Sequence, residues 1–173
     1  MEVIDLSKTI HSEMTVYPGD PEVEINLYDT YAEDNWELRE LKLGTHTGTH
    51  VDSFSHMHPG KESIDQLSVE CFFGEAERVL IADDWPEELA LFFTEKMELA
   101  LFEELVRKNP PFVGGRMSEA LERALLGAGI ITYTDLVNLD QIPLGEPFTF
   151  YGLPLKLKEG DGSPVRAIAV LEE

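Results

Sequence analysis

Residues 46–56 read HTGTHVDSFSH, which places three imidazoles and one carboxylate within eleven residues. Four of the five histidines of the chain fall between His46 and His58. Neutral imidazole and carboxylate are the usual protein ligands of Zn²⁺ and similar divalent cations. A lone histidine on a strand is more often a hydrogen-bonded structural residue, but this density of histidines favours a metal site.

The spacing inside this stretch predicts a bent strand. β-Branched residues alternate at positions 45, 47, 49 and 51, which favours extended chain over helix. In a straight strand His46 and His50 would be about 13 Å apart, too far to share one cation. Gly48 tolerates positive φ, so the backbone can bend there and bring His46, His50 and Asp52 together. A helix would instead turn Asp52 away from the two histidines.

Three further histidines have different predicted roles. His56 lies four residues beyond Asp52, where it could be another ligand or an acid–base group. His58 precedes Pro59-Gly60 in a turn and is predicted to lie on the surface. His11 stands alone and receives no role.

The motif HxGTHxDxxxH, with the opening VIDLSKTIHSEMTVYPGDPEV, resembles the "putative cyclase" family, which includes the bacterial-type kynurenine formamidases (arylformamidases). The segments LLGAGI, NLDQIP and YGLPLKLKEGDGSPVRAIAV resemble the C-terminal half of that family in order and spacing. The resemblance implies an α/β protein with a swivelling β/β/α fold, mixed sheets and a small barrel-like core. It also implies a homodimer or homotetramer, and a metal site that hydrolyses small amides or related carbonyl compounds.

The resemblance also implies roles for particular residues. His46, His50 and Asp52 match the family's metal ligands, and Asp52 matches the ligand able to bridge two cations. His56 matches the proposed catalytic histidine. Tyr17 and Pro18, in the segment YPGD, match a loop near the substrate pocket.

Two positions depart from the family pattern. Where the family carries a second histidine and a glutamate, this chain has Glu122 and Thr134. Glu122 can bind a metal or remain a solvated helix residue, whereas Thr134 is a poor ligand. The preceding segment, FVGGRMSEA, is also shorter than its family counterpart. The cofactor is therefore expected to be Zn²⁺ or Mn²⁺ as one or two ions, with one ion, or an altered second site, fitting better.

Composition limits the remaining possibilities. The chain has 173 residues and a formal charge of −21, which disfavours nucleic acid and anionic membrane surfaces as partners. Cys71 is the only cysteine, so no intrachain disulfide can form. The N-terminal residues lack the features of a secretory signal, and no apolar run reaches membrane-spanning length. We therefore expect one cyclase-like domain over residues 1–173, located in the cytoplasm and acting on a small molecule.

Hydrophobic periodicity gives a coarse set of elements. Strands are predicted at residues 3–10, 22–28, 36–43, 78–82, 130–133, 148–157 and 166–170. Two main helices are predicted at residues 86–107 and 118–126. Asp161-Gly162 is expected to turn a hairpin between Leu157 and Val165.

The leading functional hypothesis is an arylformamidase-like hydrolase that converts N-formylkynurenine to kynurenine and formate. Two alternatives stay open. One is another hydrolase or lyase of the same superfamily that acts on a lactone or a cyclic amide. The other is a non-catalytic binding protein that retains the fold.

Overall fold

Strands form most of the regular structure in residues 1–172, the part of the chain that the computed structural model describes. The strands are β1 Glu2–Asp5, β2 Glu24–Asp29, β3 Leu38–Lys42, β4 His50–Asp52, β5 Phe73–Val79, β6 Ala90–Met97, β7 Phe112–Met117, β8 Ile131–Thr134, β9 Pro147–Tyr151, β10 Gly162–Pro164 and β11 Ile168–Leu171. The α-helices are α1 Tyr31–Asp34, α2 Phe102–Lys108 and α3 Glu119–Ala128. None of the helices in these residues is long and apolar enough to span a lipid bilayer.

Nine strands form one mixed sheet in the order β1-β11-β9-β5-β6-β7-β8-β4-β10. The pairs β5–β6, β6–β7 and β7–β8 are parallel, and the other pairs are antiparallel. The strands β2 and β3 form a separate two-stranded ribbon. The mixed α/β class is confirmed. The barrel-like core is not confirmed, because the strand order is open, with β1 and β10 at its edges.

The central strands are buried on both faces. Along β6, Phe92 belongs to one apolar cluster, with Phe112 and Phe150, while Leu91 and Phe93 belong to a second cluster. The second cluster also contains the apolar sides of α2 and α3, through Leu105, Leu121 and Leu125. The sheet therefore separates a helix-covered core from a core enclosed by its own strands and loops.

The predicted helix over residues 86–107 is wrong for most of its length. Residues Ala90–Met97 form β6, and only Phe102–Lys108 are α-helical. A strand buried on both faces carries a continuous apolar run, and in ALFFTEKM that run also fits helical spacing. The predicted end of the helix is confirmed, since Asn109 adopts a left-handed conformation with φ of 52°.

Most of the other predicted elements agree with the structure in place but not always in length; the strand predicted at residues 78–82 is misplaced, because β5 runs over Phe73–Val79 and residues 80–82 lie outside it. The helix α3 begins after Ser118, whose hydroxyl accepts a hydrogen bond from Leu121 N, and ends at Gly129 with φ of 86°. The strands β1 and β9 are shorter than predicted. The predicted hairpin at Asp161-Gly162 is incomplete, because residues Gly162–Pro164 pair with β4 and only the isolated bridge between Pro154 and Val165 joins its two sides.

The pairing of β4 places the histidine-rich stretch inside the sheet. β4 lies between β8 and β10, so His50 is opposite Thr134 and Pro164, while Asp52 is opposite Thr132 and Gly162. Two strands from distant parts of the sequence, β8 and β10, therefore flank the residues of the motif that lie on β4.

Candidate metal centre

The backbone bends where the sequence predicts. Residues 45–49 form a turn and bend rather than strand, and Gly48 has φ of 64°. The bend brings both imidazoles to one carboxylate oxygen. His46 Nδ1 lies 2.7 Å and His50 Nε2 lies 3.5 Å from Asp52 Oδ1. The predicted convergence of these three side chains is confirmed.

The ring of His50 is fixed by its own backbone. Its Nδ1 lies 2.7 Å from the carbonyl oxygen of Gly48, which can only accept a hydrogen bond, so Nδ1 carries the proton. In the neutral ring, Nε2 then accepts a hydrogen bond from the hydroxyl of Thr134, 2.9 Å away, and lies 3.5 Å from Asp52 Oδ1. A histidine that donates a hydrogen bond from one nitrogen to a carbonyl and turns the other nitrogen toward a carboxylate is arranged as metal-binding histidines are.

The two oxygens of the buried Asp52 carboxylate have different neighbours. Its Oδ2 accepts a hydrogen bond from the Thr132 hydroxyl at 3.1 Å, while Oδ1 faces the imidazoles. Burial opposes ionisation, but the hydrogen bond from His46 and the electrostatic interaction with the two imidazoles hold the pKa of Asp52 below its usual value. The structure thus keeps an anion in the interior next to nitrogen donors.

His46 lies between two carboxylates. Its Nδ1 faces Asp52, and its Nε2 lies 2.9 Å from Asp161 Oδ2. Burial opposes the charged ring, but hydrogen bonds to Asp161 and Asp52 outweigh it and raise the pKa of His46 to about 10. A positive charge is therefore strongly favoured at this position.

Asp161 is the site residue that sequence reasoning missed, since it was assigned only to a turn. It lies 109 positions after Asp52 in the chain, so local spacing gives no sign of their proximity. Hydrogen bonds from His46 and then His56 hold the pKa of Asp161 well below its usual range. The acidic residue in GDGSPVRA, a segment that supported the family resemblance, is the signal that could have identified it.

His56 also belongs to this cluster. Its ring centroid lies 3.9 Å from that of His46, and its Nδ1 lies 3.3 Å from Asp161 Oδ2. His46, Asp52 and His56 each offer one ligand atom, and these three atoms lie within 4.8 Å of one another. These residues form a His-Asp-His group that could hold a metal ion.

Glu122 reaches the site from α3. Burial, then the charge of Asp52 and a hydrogen bond with it, raise the pKa of Glu122 to about 8. Glu122 is half-buried and lies within hydrogen-bonding reach of Asp52. Thr134, at the other position where the sequence resemblance implies a ligand, contacts His50 through its hydroxyl.

A cavity of about 980 Å³ opens onto the cluster. Tyr17 and Pro18, predicted to contact substrate, lie on its wall, as do His46, His50 and Glu122. Asp52, His56, Thr134, Lys8, Lys96, Arg116 and Arg123 also line it. His58 is not in this cluster, since its Nε2 lies 2.7 Å from the carbonyl oxygen of Arg123 on α3.

These features place the chain in the class of mixed α/β proteins that carry a candidate metal centre in a cavity. The model of the family described as "Putative cyclase" matches residues 4–107. A protein named kynurenine formamidase from Salinibacter ruber is 31% identical over 97% of this chain and 97% of its own length. The chain belongs to the cyclase family.

Solved structures agree with this assignment at the level of the fold. Isatin hydrolase A from Labrenzia aggregata superposes with a TM-score of 0.86 at 19% identity, covering 99% of this chain and 94% of that one. A structure described as a potential metal-dependent hydrolase with cyclase activity gives a TM-score of 0.81 at 21% identity, covering 99% and 98%. These neighbours share the fold of this chain over nearly its whole length.

Proposed function

We propose that this protein is a metal-dependent amidohydrolase of the arylformamidase type, which converts N-formylkynurenine to kynurenine and formate. The observation that carries the proposal is the approach of His46 and His50 to one oxygen of the buried Asp52. The formamidase name of the Salinibacter ruber relative supports the substrate class.

The donor atoms fit a small divalent cation. Ligand atoms that surround Zn²⁺ tetrahedrally are roughly 3.3–3.5 Å apart. The 3.5 Å between His50 Nε2 and Asp52 Oδ1 matches this value, whereas the 2.7 Å between His46 Nδ1 and Asp52 Oδ1 is a hydrogen-bond distance. His46, His50 and Asp52 would hold the cation, and Glu122 could contribute a further oxygen. Because a threonine hydroxyl is a poor metal ligand, Thr134 favours one principal ion over a complete second metal site.

When bound, a divalent cation supplies Lewis-acid chemistry: it lowers the pKa of water and polarises a carbonyl group. The chain supplies the proton transfer. Water adds to the formamide carbon, His56 accepts a proton from it, and the same proton passes to the nitrogen as the C–N bond breaks. Because His56 Nδ1 faces Asp161, Nε2 is the atom that exchanges this proton.

The cavity wall has one point suited to a carboxylate of the substrate, although it also carries the carboxylates of Asp20, Asp52, Glu119, Glu122 and Asp135. Four of the basic residues of this strongly acidic chain lie on the wall. Lys8, Lys96 and Arg123 are paired with Asp135, Glu98 and Glu119 respectively. Among residues 1–172, Arg116 has no such carboxylate partner, which leaves its guanidinium available to an anionic group of the substrate.

A cyclic amide is the second candidate substrate. The short segment before α3 and the threonine at position 134 depart from the formamidase pattern, and isatin hydrolases are among the structural neighbours. Opening a cyclic amide needs the same attack by water and the same proton transfer to nitrogen. A lactone would release an alkoxide oxygen and place less demand on His56.

The test is metal analysis of the purified protein followed by a substrate panel. The proposal predicts about one Zn²⁺ or Mn²⁺ per chain. It also predicts faster hydrolysis of N-formylkynurenine than of isatin or a simple lactone, and loss of activity on chelation. Preference for isatin would favour the second candidate. Bound metal without turnover on any member of the panel would favour a binding protein, and a protein that neither retains nor gains metal would refute the proposal.

A further inference from the structure

The backbone of Asp161 is hydrogen-bonded to the residue that follows β4, the strand that carries His50 and Asp52. Asp161 immediately precedes β10, which pairs with β4. Its carbonyl oxygen accepts hydrogen bonds from both the amide and the hydroxyl of Ser53, each at 2.9 Å. Ser53 directly follows Asp52, so the position of Asp161 relative to Asp52 is set by the main chain.

The carboxylate of Asp161 is also held in one orientation. Its Oδ1 accepts a hydrogen bond from the Thr45 hydroxyl at 2.8 Å. Its Oδ2 then faces His46 Nε2 at 2.9 Å and His56 Nδ1 at 3.3 Å. One carboxylate oxygen therefore serves two imidazoles, the first beside Asp52 and the second on the cavity wall.

The next residue makes this approach possible. A Cβ atom at Gly162 would lie 2.5 Å from His46 Cε1 and 2.9 Å from His46 Nδ1, closer than real Cβ atoms come to such atoms. Only glycine permits the 161–162 backbone to lie against the His46 ring. The Asp161-Gly162 pair thus forms the wall that fixes the ring in place.

We propose that Asp161 is a positioning residue that sets the ring orientation and proton position of both His46 and His56. By accepting a hydrogen bond from His46 Nε2, Asp161 leaves Nδ1 as the nitrogen that faces Asp52 and the cation site. By accepting from His56 Nδ1, it leaves Nε2 to exchange protons with substrate. The inference rests on the proposed function, because it takes His46 as a ligand and His56 as the proton carrier.

The first test measures proton positions in the metal-free protein by long-range ¹H–¹⁵N NMR of the histidine rings. In the wild type, both ring nitrogens of His46 and Nδ1 of His56 are expected to carry protons. Asp161→Asn should shift the ring-nitrogen signals of both residues, while His50, fixed by Gly48, should not change. An unprotonated His56 Nδ1 in the wild type, or identical spectra in the variant, would overturn the proposal.

The second test measures Co²⁺ affinity by competition titration, followed through visible absorption. Asp161→Asn is expected to weaken binding about 10–100-fold, the usual effect of removing a carboxylate behind a metal-binding histidine. Glu119→Gln is the matched control, since it removes the same charge from the cavity wall and Glu119 pairs with Arg123. Equal affinities for the two variants would refute the positioning role.

A milder change covers the case in which Asp161→Asn does not fold. Thr45→Val removes the hydroxyl that orients the carboxylate and keeps the charge, so it should produce a smaller loss of Co²⁺ affinity in the same direction. No Co²⁺ binding by the wild type would refute the proposed function. In that case the proton positions in the metal-free rings still decide whether Asp161 orients them.

Discussion

Substituting Gly162 by alanine should test how closely the fold of β10 and the metal centre depend on each other. The added Cβ would lie 2.5 Å from His46 Cε1 and 2.9 Å from the carbonyl oxygen of Val51. Carbon atoms in contact are normally about 3.5–4.0 Å apart, so the overlap with Cε1 is about 1.0–1.5 Å. Either β10 moves away from β4 or the His46 ring leaves Asp52, and overpacking of this kind costs about 1–3 kcal/mol.

The assay is chemical denaturation with and without Zn²⁺. If wild-type protein is measured at a Zn²⁺ concentration 100 times its Kd, binding stabilises it by about 2.7 kcal/mol. A displaced His46 that weakens binding about 100-fold would reduce that increment to about 0.4 kcal/mol. We expect Gly162→Ala to lose both intrinsic stability and most of the Zn²⁺ increment.

Gly152→Ala supplies a matched control. Its Cβ would lie 2.5 Å from Tyr133 Cε1 and 2.7 Å from Phe150, a similar overlap in the apolar core. It should lose comparable stability while retaining the Zn²⁺ increment. A Gly162→Ala protein that keeps the full increment would show that His46 does not need the close backbone approach, and would refute this reasoning.

Three further predictions concern proton transfer, acid stability and assembly. His56→Ala should reduce turnover about 10²–10⁴-fold with little change in Co²⁺ affinity; a parallel loss of affinity would instead make His56 a ligand. Arg166 lowers the pKa of Asp5, so their pair should stabilise the protein above the usual Asp pKa of 3.8 and lose this effect as the pH falls through the lowered value. The difference in melting temperature between wild type and Arg166→Gln should therefore be full at pH 7 and disappear in strong acid, and a difference independent of pH would contradict the ion-pair explanation. Leu41 is exposed on the β2–β3 ribbon, where we expect the predicted homo-oligomer to form. Leu41→Glu should therefore lower the mass measured by light scattering, whereas Val106→Glu on α2 should leave that mass unchanged. An unchanged mass for Leu41→Glu would place the interface elsewhere.

Local sequence signals predicted the features that depend on near neighbours in the chain. The bend at Gly48 follows from conformational freedom and from the short spacing between two histidines. The start and end of α3 follow from Ser118 and Gly129, which satisfy the free groups at the helix ends. The predicted approach of His46 and His50 to Asp52 is likewise a local event within seven residues.

Burial on two faces explains the main error in secondary structure. Periodicity distinguishes a helix from a strand only when one side of the element is exposed. β6 lies in the middle of the sheet, with Phe92 packed on one face and Phe93 on the other, so its apolar run carried no alternation. Its identity as a strand depends on β5 and β7, which flank it.

What the sequence by itself determined was the donor set and the flexible point that gathers it. Tertiary structure alone decided that the Asp161 carboxylate contacts both His46 and His56 and that Glu122 lies beside Asp52. The physical reason is that both depend on non-local packing: the β4–β10 register brings Asp161 across 109 residues, and the packing of α3 buries the carboxyl of Glu122. Spacing along a chain specifies which groups can meet locally, whereas strand register and burial determine which distant groups join them.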